Sequence, residues 1–273
     1  MRRYRALSLV ALITLILSIT AYIAIGSAQA LHTRGTVQPF PQPVFGAEEL
    51  RLGVNAALEQ YDDQTLNARL SELAERGIRT VRQEFRWSAL EPARGRFDWA
   101  ASDRIMQAAA RHGIAILPVL WTTPEWAPAP SASTRFPPTE TAPPADPEDF
   151  ARFAGAFSQR YGHLKTADGR PLLLGYQIWD EPNLSAAWGN ALIDPTYYLQ
   201  LLRAARAAIR AVDPDARIVL AGLAPTVEQS NVNLAPQLFL LKLYQLGGHE
   251  AFEIAAAKAY GCLLYTSPSP RDS

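Results

Sequence analysis

Cysteine is nearly absent: 273 residues contain one, Cys262. A disulfide framework and paired-thiol redox chemistry are therefore excluded. Net charge is absent as well, since 26 Lys and Arg balance 26 Asp and Glu. With no basic excess, and no basic run beyond the first residues, no nucleic-acid partner is expected. Histidine is scarce. The four, His32, His112, His163 and His249, show no metal-ligand spacing, so neither a metal nor another cofactor is expected. A glycine-rich phosphate turn is missing too: the first strand candidate leads into Asn55-Ala56-Ala57-Leu58, which counts against a dinucleotide-binding open sheet.

What is present starts with an export pattern. Met1-Arg2-Arg3-Tyr4-Arg5 is a basic flank, residues 6–25 are almost wholly apolar, and Ala28-Gln29-Ala30 suits signal cleavage. Residues 1–30 are thus expected to be a signal peptide or a retained membrane anchor, because the apolar run approaches the roughly 30 Å of a bilayer core. A secreted or extracytoplasmic protein follows from either. Residues 31–48, with Pro39, Pro41 and Pro43 close together, read as a linker. At the other end, residues 262–272 match, codon for codon, a translated transposase adapter of the kind used in sequencing libraries. The expectation is that 262–273 are an artefact, that Cys262 is not native, and that the genuine reading frame was cut near Gly261.

Between these ends one unit recurs: an apolar strand, a loop, then an amphipathic helix. Strands are expected at Leu50 to Asn55, Ile78 to Trp87, Ile114 to Trp121, Leu172 to Trp179 and Arg217 to Ala221, with a weaker one at Phe252 to Ala259. Helices are stopped by Gly77 and Gly113, or opened by Asp146-Pro147 and Asp194-Pro195, an N-cap followed by proline at the first helical position. Alternating strand and helix means a parallel sheet with helical crossovers. Six such units fit within residues 49–261, and two more would bring the chain to the usual size of an α/β (β/α)8 TIM barrel, roughly 250 residues. The expected fold is that barrel, incomplete, with six of eight β/α units. Residues 122–145 form a long insertion after the third strand, on the face where such barrels build their sites.

The chemistry gathers at the fourth strand. Gly175-Tyr176-Gln177-Ile178-Trp179-Asp180-Glu181-Pro182-Asn183 puts two adjacent carboxylates at the C-terminal end of a buried strand, a costly arrangement without a purpose or partners. Trp179 and Trp188 flank them, and aromatic faces at a cleft suit sugar rings.

This run resembles the Trp-Asn-Glu-Pro-Asn acid/base motif of glycoside hydrolase clan A, especially families 5 and 39. Phe85-Arg86-Trp87-Ser88-Ala89-Leu90-Glu91-Pro92 and Gly95-Arg96-Phe97-Asp98-Trp99 resemble the second-strand region of those enzymes. Leu117 to Ala127 resembles their third, and Ala259-Tyr260-Gly261 the end of their sixth. The resemblance implies a retaining glycosidase acting on oligo- or polysaccharides through two carboxyl groups about 5–5.5 Å apart. Glu181 then takes the acid/base role and must carry its proton at the start of the cycle. The nucleophile, a glutamate of the seventh strand in that clan, has no counterpart here: Glu84 lies within the second strand and Glu91 in a loop whose role looks structural. Asp180 stands where the clan has Asn, and an ionised carboxylate accepts hydrogen bonds where an amide can donate. Lys258 takes the usual His position beside Tyr260.

With Asp180 and Glu181 as the catalytic pair, the substrate contacts expected are Arg86, bracing the carboxylates, with Trp87, Trp121, Trp126, Asn183, Trp188 and Tyr260. The alternative reading of the same residues is a carbohydrate-binding barrel protein of the cell surface, in which Asp180 marks lost catalysis.

Overall fold

The computed structural model describes residues 12–26, 52–128 and 139–258. Residues 12–26 are helical and belong to a unit separate from the body Arg51–Tyr260. Among the described residues no helix is long and apolar enough to cross a membrane. The expectations for residues 1–11, 27–51 and 259–273, including the cleavage site, most of the linker, Tyr260 and the adapter-like tail, lie outside the described residues.

The body is a parallel sheet in the order β1 (Val54–Ala56), β2 (Thr80–Arg86), β3 (Ala115–Trp121), β4 (Tyr176–Ile178) and β5 (Ile218–Val219). Each strand pairs with the next in sequence. A doubly wound sheet reverses its strand order at a switch point; here it never reverses, which is barrel progression. Residues 254–258 continue it, bridging Val219 through Ile254 and Leu223 through Ala257 in parallel. Six β segments therefore stand where six were expected. β4 and β5 are shorter than their apolar runs suggest. At their junction the Tyr198 hydroxyl takes over ladder bonding, donating to Ile178 O and accepting from Ala221 N.

The crossovers are α1 (Asp63–Glu75), α2 (Trp87–Leu90), α3 (Ala100–Arg111), α4 (Pro147–Tyr161), α5 (Pro195–Val212) and α6 (Pro236–Gln245). Asp62, Asp146 and Asp194 cap α1, α4 and α5 through side-chain bonds to backbone N–H groups, satisfying donors that a helix start leaves unpaired. Odd residues of β2 and their neighbours face the helices: Val81, Phe85, Ile116, Leu120, Ile178 and Ile218 join one core with Leu66, Leu70, Ile105, Phe150, Phe153, Phe157, Leu202 and Phe239. Phe157 makes edge contacts with Phe85, Tyr161 and Tyr176, so α4 is keyed to both β2 and β4. That keying leaves Arg82, Glu84 and Arg86 of β2 on the opposite face, because strand side chains alternate.

Candidate active site

Backbone strain is concentrated at the C-terminal ends of β3 and β4. Among the described residues four non-glycine positions have positive φ, and three of them stand there: Thr122 at 65°, Trp179 at 70° and Glu181 at 49°. Such conformations cost about 1–3 kcal/mol each and persist where the surroundings over-determine them. At Trp179 the consequence is visible. Gln177 and Asp180 both bond to Arg82, although an odd spacing places residues on opposite faces of a regular strand. The left-handed turn at Trp179 breaks the alternation. It sends the indole back to Phe150 of α4 and turns Asp180 inward.

There Asp180 is nearly enclosed, with 8% of its side chain exposed. Arg82 Nη2 donates to Oδ1 at 2.8 Å, Gln177 Nε2 to the same oxygen at 3.2 Å, and Lys258 Nζ to Oδ2 at 2.6 Å. Lys258 Nζ also lies 2.8 Å from Glu181 Oε1. Glu181 is the more open of the two carboxylates, with 24% of its side chain exposed. Arg82 reaches across β3, and Lys258 reaches across β5. The second reach depends on Gly222: a Cβ there stands 3.2 Å from Asp180 Oδ1 and 3.4 Å from Lys258 Cε. A side chain at 222 presses on the ion pair.

Two groups of this cluster have displaced titrations. At Lys258, burial acts to lower the pKa but is outweighed by hydrogen bonds to Asp180 and Glu181, and the net direction is upward. Glu84 is pushed up from 4.5, first by burial and then by the charge of Asp180, against Arg82 and Lys258. A carboxyl whose folded-state pKa is raised favours folding while protonated and loses that contribution as pH rises from the unfolded value through the folded one. Glu84→Gln is therefore expected to raise Tm at pH 7, with the advantage shrinking toward pH 4. A melting series across that range checks it, and an advantage that grows on acidification contradicts it.

The residues expected to contact substrate occupy different surroundings. Arg86 does not brace the carboxylates. It pairs with Glu140, which Ser88 Oγ also reaches at 3.1 Å, and so clasps the loop after β3 back onto β2. The bracing arginine is Arg82, four residues earlier on the same face. Trp87 is fully buried, stacked on Phe153 and edge-on to Trp126, with its Nε1 donating to Glu91 at 2.6 Å. Trp188 is buried against Trp179, Tyr197 and Tyr198. Both are core, because each indole fills space between the sheet and its helices. Trp126 donates to Glu91 O and is covered by the Arg94 guanidinium 4.9 Å from the ring centre, which takes a face that a sugar would need. Asn183 is fully buried, with its amide donating to Ala224 O and Leu234 O and accepting from Ala224 N; it ties its own loop to the connection between β5 and α6. Trp121 keeps its expected place at the end of β3, with its Nε1 buried and without a hydrogen-bond partner among the described residues. Glu91 is fully buried and accepts from Trp87 Nε1 and Gly95 N, a structural role as read.

Arg82, Gln177 and Gly222 were not among the expected site residues. The signal for Arg82 was available: Arg82, Glu84 and Arg86 alternate with Val81 and Phe85, so a face of charged side chains backs an apolar one. Among the described residues no group of three or more His, Cys, Asp or Glu is placed to hold a metal ion.

The β-galactosidase model of glycoside hydrolase family 42 matches residues 57–143. Those residues hold β2 and β3 but not Asp180 or Glu181, so the match is independent of the carboxylates. Comparison with curated proteins gives no match. Among solved structures, a family 39 glycoside hydrolase of Bacteroides cellulosilyticus WH2 aligns at 20% identity and TM-score 0.51, over 78% of this chain and 39% of its own. A family 39 β-xylosidase of Caulobacter crescentus aligns at 20% identity and TM-score 0.56, over 79% and 47%. A β-galactosidase of Marinomonas ef1 aligns at 15% identity and TM-score 0.51, over 77% and 41%. The chain thus spans less than half the length of these structures, and the likeness is one of fold. In sequence over residues 57–143, and in fold over most of its length, the chain is similar to the barrel-forming glycoside hydrolases of clan A.

Proposed function

We propose that this chain is part of an exported retaining glycoside hydrolase that cleaves O-glycosidic bonds of oligo- or polysaccharides. The observation that carries the reading is Glu181: a carboxylate at the C-terminal end of β4, on a left-handed backbone, facing the interior of a partial barrel beside Asp180 and Arg82. This is the end of the strands at which barrel enzymes build their sites. In the reaction, Glu181 gives its proton to the leaving oxygen while a second carboxylate attacks the anomeric carbon. It then takes a proton from the water that attacks the same carbon and frees that carboxylate. The nucleophile, in this reading, belongs to a seventh strand of the full-length protein. Trp121, partly exposed at the end of β3, serves as the aromatic wall of the cleft. The apolar N-terminus serves export, as a cleaved signal or as an anchor to the membrane.

The test is anomeric configuration. Full-length protein is offered phenyl β-xyloside, β-galactoside and β-mannoside, and the first-formed sugar is followed by proton NMR. A product that appears with the substrate's configuration supports the reading; an inverted product overturns the retaining mechanism. One observation favours the second reading, a carbohydrate-binding barrel: both oxygens of Asp180 are already held by cations. That reading expects glycan binding with no sugar released.

A further inference from the structure

Lys258 has no part in the mechanism above, yet its ammonium touches both carboxylates of the site. We propose that Lys258 is a positioning residue that aims the acid/base, by bridging Asp180 and Glu181 into a chain of alternating charge: Arg82, Asp180, Lys258, Glu181. The proposal rests on the glycosidase reading, and its substance is geometric.

Asp180 is bound on both sides, by Arg82 at 2.8 Å and Lys258 at 2.6 Å, and it is nearly enclosed. Its orientation is therefore fixed from two strands that are not its own. Lys258 comes from the segment beside β5, where its backbone N–H is bonded to Leu223 O at 3.0 Å. Its side chain passes over Gly222, the position at which a Cβ meets both partners. With one end tied to the sheet and Nζ held by buried Asp180, Lys258 offers Glu181 a cation at a defined point, 2.8 Å from Oε1. Glu181, the more exposed member, would otherwise be placed by its own rotamers alone. Among the described residues, Lys258 interacts electrostatically with Glu84 of β2 and with Asp180 and Glu181 at the end of β4, and Arg82 of β2 meets it through Asp180. A lysine at this point also answers the replacement of an amide by Asp180: an ionised carboxylate buried there needs a second cation, and a neutral Asn does not.

The experiment uses full-length protein with Lys258→Met, Asp180→Asn and the double substitution. Two readouts are taken. In kinetics, Lys258→Met is expected to lower kcat/KM for a phenyl glycoside about 10-fold or more, and to leave a 2,4-dinitrophenyl glycoside nearly unchanged, since only the poor leaving group needs an aimed proton. Equal losses on both substrates overturn the positioning role, because a structural defect moves both alike. Lys258→Arg, which keeps the cation, is expected to recover part of the phenyl-glycoside rate. In melting, the double variant is expected to lose less Tm than the two single losses added together, because each single change strands the other's charge or dipole. Additive losses overturn the bridge itself. Turnover of neither glycoside by the unsubstituted protein overturns the hydrolase reading instead. The melting cycle separates that failure from this one, since it reports the Lys258–Asp180 contact without any substrate.

Discussion

Glu181→Gln in the full-length protein is expected to lower kcat/KM for phenyl glycosides by about 10²–10⁴-fold, the range a positioned general acid supplies. The substitution is close to isosteric. A glutamine side-chain oxygen still accepts from Lys258 Nζ, and the left-handed backbone at φ 49° asks no more of Gln than of Glu. What changes is the proton. A 2,4-dinitrophenyl glycoside, whose leaving group departs without protonation, is expected to react rapidly in the first step and then stall, because no base activates water. Added azide attacks the accumulated glycosyl-enzyme without needing that base, so it restores turnover and yields a glycosyl azide. Undiminished hydrolysis of the phenyl glycoside sinks the assignment of Glu181.

Asn183→Ala is expected to act on stability instead. Its amide satisfies Ala224 O, Leu234 O and Ala224 N, all within the interior. An unsatisfied buried polar group costs about 1–3 kcal/mol, and three are exposed to that fate at once, so a loss of about 3 kcal/mol or more is expected. Urea unfolding measures it. KM is expected to stay near its original value, because the amide is fully buried and committed to these three backbone groups. A variant of unchanged stability with a raised KM would falsify this account and return Asn183 to the substrate contacts.

The two residues stand in the same motif, two positions apart, and the sequence treats them alike. Their division of labour comes from where the chain turns after β4. Trp179 at φ 70° shifts the alternation so that Asp180 and Glu181 point inward, while Asn183 falls against the connection between β5 and α6, which carries both Ala224 and Leu234. Local pattern cannot show this, since a left-handed tryptophan has no composition signal. The same holds for the aromatics. Trp87, Trp121, Trp126 and Trp188 all follow strand ends, and their positions alone suggest sugar platforms. The structure uses Trp87 and Trp188 as core, Trp126 as a framework residue under Arg94, and leaves Trp121 part-buried at the end of β3. Burial of a ring depends on what packs across from it: Trp87 meets Phe153, from a helix far along the chain, and Trp188 meets Tyr198 of the helix that follows it.

From the sequence by itself came the alternation of strand and helix, the caps at Asp146 and Asp194, the parallel barrel progression and the placing of Asp180-Glu181 at a strand end. These are local or periodic properties: a helix start needs a side-chain acceptor, a buried strand needs an apolar run, and neither depends on distant residues. Only the tertiary structure decided which cations hold the carboxylates. Arg82 rather than Arg86 reaches Asp180, and Lys258 crosses β5 over Gly222 to meet both acids. Those contacts join residues separated by 98 and 78 positions, and a curved parallel sheet is what brings them within hydrogen-bond distance.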